Sequence, residues 1–238
     1  MPEGGIGWRW PGGASPAPAG ASGYTPLVSR GAFIVLEGPD GAGKSTQAAL
    51  LVENLRAEGR GVDHLRDPGG TAAGDRIREI LLAERALDPA VEIFLFLASR
   101  AQLVAERIRP ALAAGRVVVC ERFTLSTVVY QGRAADPPPA PAALERLRET
   151  VRLSALGVEP DLVLVLDVDP GTGLGRKDAG ARLDRIESRG EGFQGRVRRG
   201  YLEEAPLWRG AEVLPPATVE VTARRVREAA GRVLPGAP

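Results

Sequence analysis

The segment Gly38-Pro39-Asp40-Gly41-Ala42-Gly43-Lys44-Ser45 sets Gly, four residues, then Gly-Lys-Ser, with Thr46 behind it. Small residues let the backbone curl so that successive N–H groups meet one set of phosphate oxygens. A lysine adds a point charge, and the hydroxyl beside it can ligate Mg2+. Composition alone would produce about 0.002 such matches in a chain of this length. Gly38 through Thr46 is therefore read as a cradle for nucleotide phosphates. Lys44 is one of two lysines, with Lys177, among 31 basic residues; the other 29 are arginines.

Three further segments carry groups able to recognise an anionic or aromatic ligand. Arg66-Asp67-Pro68-Gly69-Gly70-Thr71 follows a second β-branched run, and Glu121-Arg122-Phe123 follows a third. The latter leads into Leu125-Ser126-Thr127-Val128-Val129-Tyr130-Gln131-Gly132, and a helix between the two carries Phe96-Leu97-Ala98-Ser99-Arg100. All fall at or near strand carboxyl ends, where open α/β sheets bind ligands. Each also has a plainer reading: Phe96 sits in the apolar run Phe94-Leu95-Phe96-Leu97, and Arg100 and Arg122 could be ordinary ion-pair partners. Cys120 and His64 are expected to be inert. A GTPase needs an Asn-Lys pair to read guanine, yet the sole asparagine is Asn54, within the first helix. A motor ATPase would want the acids Asp167 and Asp169 to end a strand beside the cradle, but Pro170 follows at once and no room remains for coupling modules.

Taken together, these motifs, with Leu183-Asp184-Arg185-Ile186-Glu187 and Tyr201-Leu202-Glu203, resemble the thymidylate kinases from about Phe33 to Leu234. The resemblance implies a P-loop nucleoside monophosphate kinase that moves the γ-phosphoryl group of ATP to dTMP with Mg2+, as a cytoplasmic homodimer joined through the long helix Pro89 to Ala114. It implies that Phe96 stacks on thymine, Arg100 reads its carbonyl edge, and Arg66 and Arg122 hold the acceptor phosphate. Asp40 contacts the sugar and helps place the reacting phosphate. Ser126, Thr127, Tyr130 and Gln131 line base and sugar, Tyr130 crowding the 2′ position. Ser45 and, through water, Glu121 serve the metal. Two positions depart from the family pattern, with Asp67 where Glu is usual and Glu121 where Asp is usual. Gly41 stands where some members carry a catalytic arginine, so the closing charge is expected from the lid, Arg182 and Arg185 ahead of Arg176 and Lys177. The alternative within the same chemistry is another acceptor, such as dUMP.

Positioning these groups requires a scaffold, and the sequence outlines one. Strands are expected at Phe33 to Glu37, Val62 to Leu65, Val117 to Cys120, Leu162 to Asp167 and Glu212 to Leu214. Helices are expected at Lys44 to Glu58, Thr71 to Ala83, Pro89 to Ala114 and Pro141 to Leu156. A last helix, capped by Thr218, puts Val219, Ala223, Val226, Ala230 and Val233 on one face. This alternation predicts an α/β domain, a doubly wound parallel five-stranded sheet flanked by helices, over residues 31–238. Residues 171–200, rich in Gly and Arg, read as a mobile lid rather than core. Residues 1–30 hold five Pro and seven Gly and read as a flexible extension, or as a start codon set too far upstream, with Trp8 and Trp10 its only docking candidates. They lack the charged start and apolar run of a secretory signal. A net charge of +1 argues against a nucleic-acid partner, and no run approaches the roughly 18 apolar residues of a membrane span.

Overall fold

The computed structural model describes residues 30–83, 87–178, 185–186, 189–234 and 236. Trp8, Trp10 and Arg182 lie outside them. Strands β1 (Phe33–Glu37), β2 (Val62–Arg66), β3 (Val117–Glu121), β4 (Leu162–Leu166) and β5 (Ala211–Leu214) form one parallel sheet in the order β2-β3-β1-β4-β5. In the centre, Val35 stands opposite both Cys120 of β3 and Val163 of β4.

The central strands read as continuous apolar runs because both faces of the sheet are covered. Phe33, Val35, Val118, Cys120, Val163 and Val165 turn to one face. Ile34, Leu36, Val119, Leu162 and Leu164 turn to the other. Helices α1 (Lys44–Ala57) and α9 (Val219–Gly231) close the second face through Ala48, Leu51, Leu55, Val226 and Ala230. Thr218 caps α9 as expected, its hydroxyl accepting from Val221 N at 3.4 Å.

On the first face, α2 (Ala72–Ala83) pairs with α3 (Pro89–Leu103). Helix α3 starts where Asp88 accepts from Ala90 N at 2.8 Å and Pro89 supplies a preset first turn. The helix expected from Pro89 to Ala114 runs through to Ala113, with one π-helical turn at Val104–Ile108 joining α3 to α4 (Arg109–Ala113). Pro110 has no N–H for the Glu106 carbonyl, and the ladder widens just before it.

A second departure follows β3. Residues expected only to line the ligand form α5 (Thr124–Thr127), which runs into a π-helical segment, Val128–Arg133, before α6 (Pro141–Ser154). Its Thr and Val residues have weak helix propensity and hide the helix from a reading of periodicity. A third concerns the lid. After α7 (Pro170–Asp178), residues Gly190–Glu204 form α8, and Phe193, Val197 and Tyr201 enter the core at four-residue spacing. The reading of 171–200 as outside the core is thus corrected over its second half: interspersed Gly and Arg dilute a stripe that is apolar at every fourth residue. Gly200 permits the approach, since a Cβ there would lie 2.8 Å from Arg133 Cβ. Buried Glu204 ties α8 down by accepting from Arg133 Nε at 2.7 Å and Arg148 Nη2 at 2.6 Å.

Candidate active site

With β1 between β3 and β4, the loops leaving β1 and β3 diverge at the carboxyl edge of the sheet, the switch point of a doubly wound fold. A cleft of about 450 Å³ opens there, and both loops line it. The β1 loop holds its curl by positive φ at Gly38, Gly41 and Gly43, of 132°, 75° and 88°. Gly43 directly precedes α1, so the first N–H groups of the helix face the loop's concave side. Lys44 Nζ donates to the carbonyls of Gly38 at 3.0 Å and Pro39 at 2.7 Å, bent over the same concavity.

The loop also touches the base of the lid. A Cβ on Gly41 would fall 2.0 Å from the Gly173 carbonyl oxygen, and one on Gly173 would fall 2.5 Å from that of Asp40. The two backbones are in contact, and any side chain at position 41 would have to displace the backbone of Gly173.

Ser45 Oγ donates to Glu121 Oε2 at 2.5 Å, while His64 Nε2 lies 3.0 Å from Glu121 Oε1. Burial works to raise the Glu121 pKa, but His64 and Ser45 outweigh it and hold the carboxyl below its usual range. Hydroxyl and carboxylate oxygen side by side suit a hard divalent cation that takes one or two protein oxygens and fills the rest of its shell with phosphate and water. His64, expected to be inert, is thus a neighbour of this pair. Edge strand β2 is hydrogen-bonded to β3, and Glu121 bridges His64 and Ser45 with its two carboxylate oxygens.

Arg122 is the hub. Its backbone takes φ 66°, and its guanidinium donates from Nη2 to Asp40 Oδ1 at 2.6 Å and to Tyr130 OH at 3.0 Å. From Nη1 it donates to the Gly38 carbonyl at 3.1 Å, Ser126 Oγ at 3.2 Å and Tyr201 OH at 3.1 Å. Positive φ in a non-glycine residue persists only where the surroundings over-determine it. Here the fully buried Glu37 does so, accepting from Phe123 N at 2.8 Å, Ser126 N at 3.1 Å, Ser126 Oγ at 2.5 Å and Tyr201 OH at 2.8 Å. Burial pushes the hydroxyls of Tyr130 and Tyr201 well above the ordinary tyrosine range, so both stay protonated and donate to carboxylates. Gln194 of α8 also reaches Asp40, donating to Oδ2 at 3.0 Å.

On the far wall, Phe96 is 9% exposed and faces the cleft, whereas its neighbour Phe94 is 66% exposed and points away. Arg66, Thr127 and Gln131 also line this wall. Arg100 reaches the cleft too, but it is held chiefly by protein. It donates from Nε to Asp67 Oδ2 at 2.6 Å and from Nη2 to Thr127 Oγ1 at 2.8 Å and the Phe123 carbonyl at 3.2 Å. Burial pushes the Asp67 carboxyl up, against the pull of Arg100. The shorter acid at position 67 is therefore a structural partner of Arg100 in this chain. Asp167 and Asp169 take no part: Arg198 grips Asp167 at 2.7 and 2.9 Å, and Asp169 caps α7. Arg185 donates to Glu92 and to the Leu81 carbonyl, so it is engaged with the α2–α3 wall.

Sequence reasoning missed Glu37, Glu92 and Gln194, and it quoted Tyr201 within a motif without giving it a place in the site. Glu37 had a signal: it is the one charged residue of a strand whose five positions are all buried. The others act across more than 30 residues of chain and have no local mark.

Comparison with known proteins agrees with this arrangement. The family model for thymidylate kinase matches residues 36–213. A thymidylate kinase of Pseudomonas fluorescens is 47% identical over 177 residues, covering 74% of this chain and 82% of the relative. One of Deinococcus radiodurans is 44% identical over 184 residues, covering 75% and 84%. The crystal structure of thymidylate kinase from Ehrlichia chaffeensis superposes with a TM-score of 0.67 at 26% identity, covering 84% of this chain and 99% of that one. A glycine-curled loop under Lys44, an arginine hub on Asp40 and an aromatic wall at Phe96 share one cleft in a chain that belongs to the thymidylate kinase family.

Proposed function

We propose that this protein transfers the γ-phosphoryl group of ATP to dTMP, releasing dTDP and ADP. The observation that carries the reading is the joining of donor and acceptor elements by Arg122, whose guanidinium touches the Gly38 carbonyl and Asp40 of the phosphate loop and Ser126 and Tyr130 of the opposite wall. The attacking group would be a phosphate oxygen whose second pKa is about 6, so it is already ionised at neutral pH and needs no general base. The barrier is electrostatic: two polyanions must meet in line, and charge spreads over the transferred group. Lys44 and Arg122 stand where they can meet that charge, with Arg66 on the acceptor side. Ser45 and, through water, Glu121 would hold Mg2+, which when bound neutralises phosphate charge. Phe96 would stack on thymine, Arg100 and Gln131 would read its edge, and Ser126, Thr127 and Tyr130 would shape the sugar pocket. Arg182 is proposed as the lid charge that reaches ATP, ahead of Arg185, which Glu92 already engages. Neutralising Arg182 is expected to lower kcat by about 100-fold with little change in the KM for dTMP.

The direct test supplies ATP with each pyrimidine monophosphate in turn and follows ADP release. Turnover with dTMP is expected, with dUMP poorer by about ten-fold, since one methyl group in an apolar pocket is worth roughly 1 to 3 kcal/mol. Equal rates would favour the broader acceptor reading, and no turnover with either would overturn the assignment. No helix among the described residues is long and apolar enough to cross a membrane. A cytoplasmic homodimer is proposed, joined where α3 exposes Val91 and Phe94 and the adjacent α6 exposes Leu153, at 45%, 66% and 75%.

A further inference from the structure

Glu92 opens the cleft-facing side of α3, with Phe96 one turn on and Arg100 one turn further. It is 5% exposed and lies behind Gln131 rather than in the cleft wall. Its Oε1 accepts from Gln131 Nε2 at 2.9 Å, and its Oε2 accepts from Arg189 Nη2 at 3.2 Å and from Arg185 Nη2. Burial works to raise its pKa, but Gln131, Arg185 and Arg189 outweigh that and hold it below the ordinary carboxylate range. Ionised, it can only accept, so the Gln131 side chain has one permitted orientation, with NH2 toward Glu92. Its carbonyl Oε1 receives no hydrogen bond from the described residues, and Gln131 itself lines the cleft.

We infer that Glu92 is a specificity-determining positioning residue: it sets the polarity of the Gln131 amide so that the acceptor site offers a hydrogen-bond acceptor to the nucleobase. This rests on the reading that the cleft takes a pyrimidine monophosphate. Thymine and uracil carry an N3–H donor that satisfies the carbonyl. Cytosine presents a bare N3, an acceptor facing an acceptor, and both groups then lose water without gaining a partner. Arg185 and Arg189, on either side of the lid's end, share the carboxylate and keep it charged.

The test measures kcat/KM for dTMP, dUMP and dCMP, with ATP, in the native chain, Glu92→Gln, Gln131→Met and the double variant. In Glu92→Gln the new amide can donate to Gln131 Oε1, so the Gln131 amide can turn and offer NH2. The dCMP-to-dTMP ratio is expected to rise by about ten-fold or more. A merely structural loss would lower all three substrates together and leave the ratio unmoved, which overturns the inference. Gln131→Met keeps Glu92 and its arginines, so it guards against a Glu92 variant that fails to fold. It is expected to lose dTMP preference over dCMP, and an unchanged ratio overturns the inference. In the double variant the effect of Glu92→Gln on the ratio should vanish; its persistence would show that Glu92 does not act through Gln131. A native chain that used no pyrimidine monophosphate would instead overturn the parent reading.

Discussion

Lys44→Ala is expected to lower kcat by about 100- to 1000-fold while the protein stays folded. The loop's path is set by positive φ at Gly38, Gly41 and Gly43 and by the packing of Gly38, where a Cβ would meet the Leu166 carbonyl oxygen at 2.4 Å. Lys44 contributes two hydrogen bonds to loop carbonyls, at 3.0 and 2.7 Å, each worth about 1 to 2 kcal/mol net. A charge aimed at a transferring phosphoryl group in a site that excludes water is worth more than such bonds, because it acts where the local dielectric is low and needs no reorganisation. Single-turnover kinetics alongside thermal unfolding separates the two effects. A folded variant with near-native turnover would remove Lys44, and with it the kinase chemistry, from this cleft.

Arg100→Ala is expected to act first on stability. The Arg100–Asp67 pair lies at 2.6 Å with both side chains 1% exposed, and Asp67 Oδ1 has no hydrogen-bond partner among the described residues. Removing the guanidinium strands a carboxylate in the interior, which costs about 3 to 5 kcal/mol. The sign of its pH dependence is fixed by Asp67. A buried carboxyl whose folded pKa lies above its unfolded value binds its proton more tightly in the folded state, so stability falls as pH rises between the two values. Without Arg100 to pull it back, the folded value climbs further. The deficit of the variant should therefore be largest near neutral pH and shrink as pH falls toward the ordinary carboxylate range. Chemical denaturation of native, Arg100→Ala and Arg100→Ala/Asp67→Asn proteins across that window checks it, the second substitution recovering part of the loss at neutral pH. Native stability in Arg100→Ala at neutral pH, with only the KM for dTMP raised, would make Arg100 a reader of the base and nothing more.

The acceptor wall shows why a residue type in a motif can carry two duties. Phe96 and Phe94 are two residues apart in one apolar run, and only the rotation of α3 turns Phe96 to the cleft and Phe94 to solvent. The same face brings Glu92 and Arg100 to the cleft side, where one is answered by the lid arginines and the other by Asp67.

The sequence by itself determined the parts whose cause is local. Glycines at φ-demanding positions before a lysine specify the phosphate loop. Continuous β-branched runs specify strands covered on both faces, and Thr218 and Pro89 specify where helices begin. Those signals act over a few residues and survive without knowledge of neighbours. Tertiary structure alone decided the rest. It brought Tyr201 to Glu37 across 164 positions, Gln194 to Asp40 across 154, and Arg185 to Glu92 across 93. It also drew α8 out of a segment whose Gly and Arg content reads as lid. The physical reason is the same in each case. A buried carboxylate must find donors wherever the fold supplies them, and an apolar stripe of one residue in four is recognisable only when another surface is present to bury it.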